Sequence, residues 1–238
     1  MIGDRELVNT KTGEIFQPIR LYYRISSKVG VRVALNKIKC IDFEPSENHW
    51  VWVYENEAKK IEFEISYDDI HPDDKSLILG IFTIISDDQM CLDVGSIPRA
   101  IEAIKFFDKR IKKVVARIEY AAIYNKLPRN RHEYPGFQFD KLFGGIDTET
   151  FDEKSEQRHQ KLGEAISLGN ISAVLDNEVM DLIEGYRVDA DEDGLRQLSF
   201  QMMLNQAIAI EKMKGNDNAK LSTIVDTLLN FIGKKAAH

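Results

Sequence analysis

Three stretches of this chain carry residue types that could do chemistry. The loop Asp68, Asp69, His71, Asp73 and Asp74 is the densest run of oxygen and imidazole donors. Carboxylates with a histidine suit Mg2+ or Mn2+ and would make the chain a metal-dependent enzyme. Clustered Asp residues beside a proline are also the composition of a solvated turn. The second stretch, Asp189-Ala190-Asp191-Glu192-Asp193-Gly194, opens like a calcium loop, but its twelfth position is Phe200, where a bidentate Glu is required. It reads instead as an acidic loop that caps the next helix and complements its dipole.

The third stretch is basic. From Lys105 to His132 nine Lys/Arg stand against two acids, a net of +7 in a chain whose total is −7. On a helical wheel Lys105, Lys109, Lys112 and Lys113 lie opposite Ile101, Ile104, Phe107 and Ile111, and Phe106 falls among the lysines. A strip over 99–131, comprising Arg99, Lys105, Phe106, Lys109, Arg110, Lys112, Lys113 and Arg117, offers cations for phosphates and a ring on which a base could stack. The plainer reading is the solvated face of an amphipathic helix, docked on the chain's own acidic half.

No other chemistry has a signature. The histidines show no HxH or HExxH spacing, and there is no GxSxG, P-loop or GxGxxG. Nothing in the sequence calls for a cofactor. Cys40 and Cys91 lack a nearby Cys or His; two thiols in 238 residues are no disulfide framework and fit a reducing compartment. Both stand in apolar strands and are expected to be reduced and unreactive. The polar run Met1–Lys11 lacks the apolar core of a signal peptide, and the longest apolar run, 77–85, is too short to span a bilayer.

The elements that must position these residues are α+β in class. Residues 14–25 read as a first strand. Residues 27–37 set helix caps, Ser26 and Ser27, against a strand-like alternation of Val29, Val31 and Val33. The runs 39–43 and 49–54 flank Glu44-Pro45-Ser46-Glu47-Asn48 as a hairpin. Lys60–Ile65 alternates strictly and predicts a strand. Strands follow at 77–85 and 90–94, then a helix from Ser96 to Ile111 with Pro98 in its first turn. Over 112–124, Val114–Ala122 fits either a continuation of that helix or a strand with Ile118, Tyr120, Ala122 and Tyr124 on one face. The strand is preferred because it completes a strand–helix–strand unit. The result is a mostly antiparallel N-terminal sheet with a strand–helix–strand unit over 1–127. A Pro/Gly/aromatic connector at 128–150 leads to an all-helical region, 151–238. Its helices are expected at 152–168, 171–185, 192–213 and 217–233, closed by Gly169, Gly185, Gly215 and Gly233.

With 43% hydrophobic and 30% charged residues the composition is that of an ordinary folded protein. The expected function is a non-catalytic, cytoplasmic binding or assembly protein with protein partners and no membrane contact. One surface for this is the apolar stripe Met202, Met203, Leu204, Ile208 and Ile210. The alternatives are a nucleic-acid-binding accessory protein using strip 99–131, and an enzyme with a metal in the 68–74 loop.

Overall fold

Alternating apolar runs broken by turns build one sheet in the computed structural model, which describes residues 7–71, 77–130, 133, 138–157, 181–216 and 219. The strands are β1 (Ile19–Ile25), β2 (Ile41–Glu44), β3 (His49–Val53), β4 (Ile78–Ile84), β5 (Gln89–Val94), β6 (Ala116–Tyr124) and β7 (Ile183–Arg187). They form a seven-stranded sheet in the order β2-β3-β4-β5-β1-β6-β7, and every neighbouring pair is antiparallel. The helices are α1 (Lys28–Leu35), α2 (Ile97–Asp108), α3 (Phe139–Phe143) and α4 (Glu192–Met213), with a further helical stretch at 149–157. The α+β class is thereby established. No helix among the described residues is long and apolar enough to cross a membrane.

Short polar caps start the helices. The Ser27 hydroxyl accepts the Gly30 N–H at 2.9 Å. This turns the valine run into a helix, with Val31 and Leu35 one turn apart in the core. Ser96 accepts the Arg99 N–H at 3.2 Å and opens α2. Asp191 accepts the Gly194 N–H at 2.7 Å, so the acidic run that resembles a calcium loop caps α4. Ile19, Leu21, Tyr23 and Ile25 of β1 share one core with Leu35 of α1, Phe107 of α2 and Met202 of α4. On the opposite face Tyr22 and Ala122 pack with Phe143 and Phe151.

That second face contains a buried charge. Arg20 is 3% exposed. It donates from Nε and Nη2 to Asp93 at 2.7 and 2.8 Å, and Nη2 also donates to Asp140 of α3 at 2.7 Å. Burial alone would favour a neutral guanidinium. The hydrogen bonds that Arg20 donates to Asp93 and Asp140, with the charge of Asp93, outweigh it and hold the Arg20 pKa above its ordinary value.

Three expectations are corrected. Lys60–Ile65 is no strand; a 3-10 turn, Asn56–Lys60, leads into it. Its alternation survives only in part as burial: Ile61 is inside and Phe63 is half-buried against Tyr54, while Ile65 is exposed. The Tyr54 hydroxyl donates to Ile61 O at 2.6 Å, while β3 and β4 pair with each other and offer no edge. Helix α2 stops at Asp108 and not at Ile111. Residues 183–187 form β7 and not the end of a helix, so the region after Phe151 is not all helical. Gly185 is no helix terminus either: a Cβ there would fall inside the Phe151 ring. The helix expected at 217–233 lies outside the described residues except for Ala219, as do 158–168 of the helix expected at 152–168 and 171–180 of that expected at 171–185.

Residues beyond 150 supply Tyr186, Leu195, Leu198 and Met202 to the core of the N-terminal strands. A fragment ending at Leu127 is therefore expected to melt below the full chain or to aggregate; a full-length-like cooperative melt would show the first 127 residues to be self-sufficient. Arg20→Ala leaves Asp93 buried and unpaired, and urea unfolding should register a loss of about 3–5 kcal/mol. Asp140, whose side chain is 85% exposed, should cost less than about 1 kcal/mol when changed to Ala.

Candidate interaction surface

The end of α2 decides what the basic strip can do. After Asp108 the chain turns through Lys109–Val115 into β6, so Lys109, Lys112 and Lys113 stand on a loop and not on a helix face. Two of the eight strip residues leave the surface altogether. Arg99 lies inside, donating to Thr12 Oγ1 at 2.8 Å and Ile78 O at 3.3 Å, with Glu14 Oε1 3.7 Å from its Nε. Phe106 is buried, its ring centroid 5.7 Å from that of Trp52 and 5.0 Å from that of Phe107. The wheel misplaced Phe106 because α2 buries a wide arc that includes Ala100, Ala103, Ile104 and Phe107. The strip therefore has no aromatic ring free to stack a base.

Most of the remaining cations are engaged. Lys105 meets Glu102 at 2.8 Å and Lys113 meets Asp108 at 3.5 Å. Arg110 lies over the Phe106 ring at 3.5 Å and donates to Phe106 O at 2.9 Å. Arg117 and Arg24 each donate to Glu119 at 2.9 Å. Burial favours a neutral Glu119, but these two arginines prevail and hold its carboxyl below the usual value. Lys109 and Lys112 are exposed and form no ion pair among the described residues.

The loop adjoins α1. The Ser26 N–H donates to Val115 O at 3.0 Å, and the Val115 side chain reaches α1 at Gly30. The two elements together expose three aliphatic residues: Val29 at 72%, Val33 at 51% and Val114 at 77%. Arg32 stands on the same helix, within reach of Asn48 and the Trp50 ring. The strip reading passed over this apolar component. Its signal was present in the sequence: Val29/Val33 and Val31/Leu35 are two apolar pairs on different sides of one short helix, and only one pair can face the sheet.

The other residues singled out by type are more dispersed. Asp69 accepts from Ser66 at 2.6 Å in a short 3-10 turn, Tyr67–Asp69. Asp73 and Asp74 lie outside the described residues. Among the described residues no three His, Cys, Asp or Glu side chains come within reach of one ion. In α4, Met202 and Ile208 are core residues, Leu204 and Ile210 are half-buried, and Met203 is exposed, so the apolar stripe is mostly self-core. Cys40 and Cys91 are buried free thiols; burial pushes the Cys40 pKa up to about 12 and raises that of Cys91. Comparison with family models, curated proteins and solved structures finds no match to this chain.

Two outcomes are expected. Thiol reagents should leave the native protein unmodified and label both cysteines in denaturant; rapid native labelling would show that one of them is accessible. Glu119, with its folded pKa depressed, contributes stability that is present above the unfolded carboxyl value of about 4.3 and is lost as pH falls below it. Wild type should therefore exceed Glu119→Gln in urea midpoint at neutral pH, and the gap should close on acidification.

Proposed function

We propose that this chain is a non-catalytic cytoplasmic binding protein that docks a protein partner on the surface shared by α1 and the Lys109–Val115 loop. The observation that carries the reading is the exposed trio Val29, Val33 and Val114 beside Lys109 and Lys112, two lysines without carboxylate partners among the described residues. Neighbouring exposed apolar side chains mark contact sites more than isolated ones do. Branched aliphatics suit the apolar side of a protein segment and cannot stack bases, while the lysines select a segment that also carries Asp or Glu. The partner chemistry is an acidic, amphipathic segment of another protein.

The test compares wild type with Val29→Ser/Val33→Ser and with Lys109→Gln/Lys112→Gln, each first shown to melt like wild type. The three proteins are immobilised and exposed to extract of the native host, with and without nuclease treatment. The expected result is a protein retained by wild type and lost from both variants. Once identified and purified, it should rebind, and more weakly as salt rises. Retention that disappears on nuclease treatment would transfer the site to nucleic acid. Retention unchanged in both variants would refute the reading.

A further inference from the structure

We infer a second, independent site: a groove for a small organic phosphate at the junction of β6, β7 and the C-terminal end of α4. The groove has a volume of about 340 Å3, within the range of small-molecule sites. Its floor is apolar, since Leu127, Ala209 and Met213 form a small cluster of their own. Three cations line it: Lys126 and Arg129 from the segment after β6, and Lys212 from the last turn of α4. None of the three forms an ion pair among the described residues. Asp181, the acidic residue of the lining, is engaged at 2.5 Å by Lys154. The C-terminal end of α4 adds a partial negative charge, and Lys212 stands where it offsets this.

A second observation comes from Asn125. Its side chain lines the groove, is 6% exposed, and is fixed by donation from Nδ2 to Asp181 O at 2.9 Å. Its Oδ1 is buried and accepts no hydrogen bond from the described residues. Buried acceptors are ordinarily satisfied, and one left without a donor costs about 1–3 kcal/mol. A groove with cations that form no ion pair among the described residues and with an apolar floor fits one ligand class. That class is a phosphate monoester whose dianion meets the cations and whose apolar body rests on Leu127 and Met213. Two lysines and an arginine gather charge and bidentate donors as a dianion requires.

The site is separate from the α1 surface, so either can fail without the other. The experiment titrates the full chain with phenyl phosphate, inorganic phosphate and benzoate at about pH 8, where the phosphates are dianions. Binding is followed by calorimetry and by the 15N spectrum. The expected result is saturable binding of phenyl phosphate, weaker binding of inorganic phosphate, and shifts centred on the Asn125 side-chain amide. Changing Lys126, Arg129 and Lys212 together to Gln should weaken phenyl phosphate about tenfold or more, the loss of charge-assisted contacts, with an unchanged melt. Val29→Ser/Val33→Ser should bind as wild type does. No saturable binding, binding undiminished in the triple variant, or shifts spread over the lysines of the Lys109–Val115 loop would each overturn the site. Benzoate binding as tightly as phenyl phosphate would overturn the phosphate assignment.

Discussion

A guanidinium inside a sheet has to be answered, and much of this fold is arranged around the answer to Arg20. Strand β1 is central, with β5 on one side and β6 on the other, and six of its seven residues are buried. Its apolar side chains fill one core, so Arg20 and Tyr22 are forced onto the opposite face. The antiparallel register places Asp93 directly across from Arg20, and the two-pronged contact satisfies most of the guanidinium. A slip of one residue would turn Arg20 into the apolar core and Ile19 out of it. The ion pair adds little net stability over an apolar substitute of the same shape, but a shifted register would leave a buried charge unpaired.

The same pair shapes what lies above it. Asp140 ties α3 to Arg20 from a solvent-facing position, and the Arg20 guanidinium sits 5.5 Å from the centre of the Phe143 ring. Phe143 and Phe151 then close the face over Tyr22 and Ala122. Phe151 occupies the space where a side chain at position 185 would stand, so β7 can cross beneath it only as glycine. Phe143, from the stretch 128–150 read as a connector, and Phe151, the first residue of the region expected to be helical, thus supply the cover of the second face.

Parts of this were legible in the sequence because local and tertiary signals agreed there. The hairpin around Glu44–Asn48, the 77–94 strands and the helix opened by Ser96 each had an apolar period and a matching turn or cap. The errors arose where those signals separate. In Lys60–Ile65 the alternation turns Ile61 and Phe63 inward but leaves Ile65 exposed, a strand needs a partner edge, and the Tyr54 hydroxyl takes a carbonyl that a ladder would use. β7 reads Ile-Glu-Gly-Tyr-Arg, with a buried Glu184 and a glycine; nothing in those five residues announces a strand, since its role is set by β6 and Phe151. The basic strip failed at Arg99 and Phe106 for a related reason. A helical wheel orders residues around an axis but does not give the width of the arc that neighbours will cover.

The fate of the cations separates structure from surface. Arg20 and Arg99 are consumed inside the fold, and Lys105, Lys113 and Arg117 are paired at its surface. Exposed near α1 without an ion pair among the described residues are Lys109 and Lys112 of the strip, with Arg32 and Lys37, a small set of cations on a chain whose net charge is −7. At physiological salt a charge is felt over about 8 Å, so two lysines can select among contacts already made but cannot gather partners from a distance. Binding through this surface would then have to draw its free energy from the three valines, with the lysines choosing acidic neighbours for them. That division of labour suits the acidic, amphipathic protein segment proposed as the partner of this surface. Phe106 and Arg99, the ring and the first cation of the basic strip, have been turned by the fold to its own use.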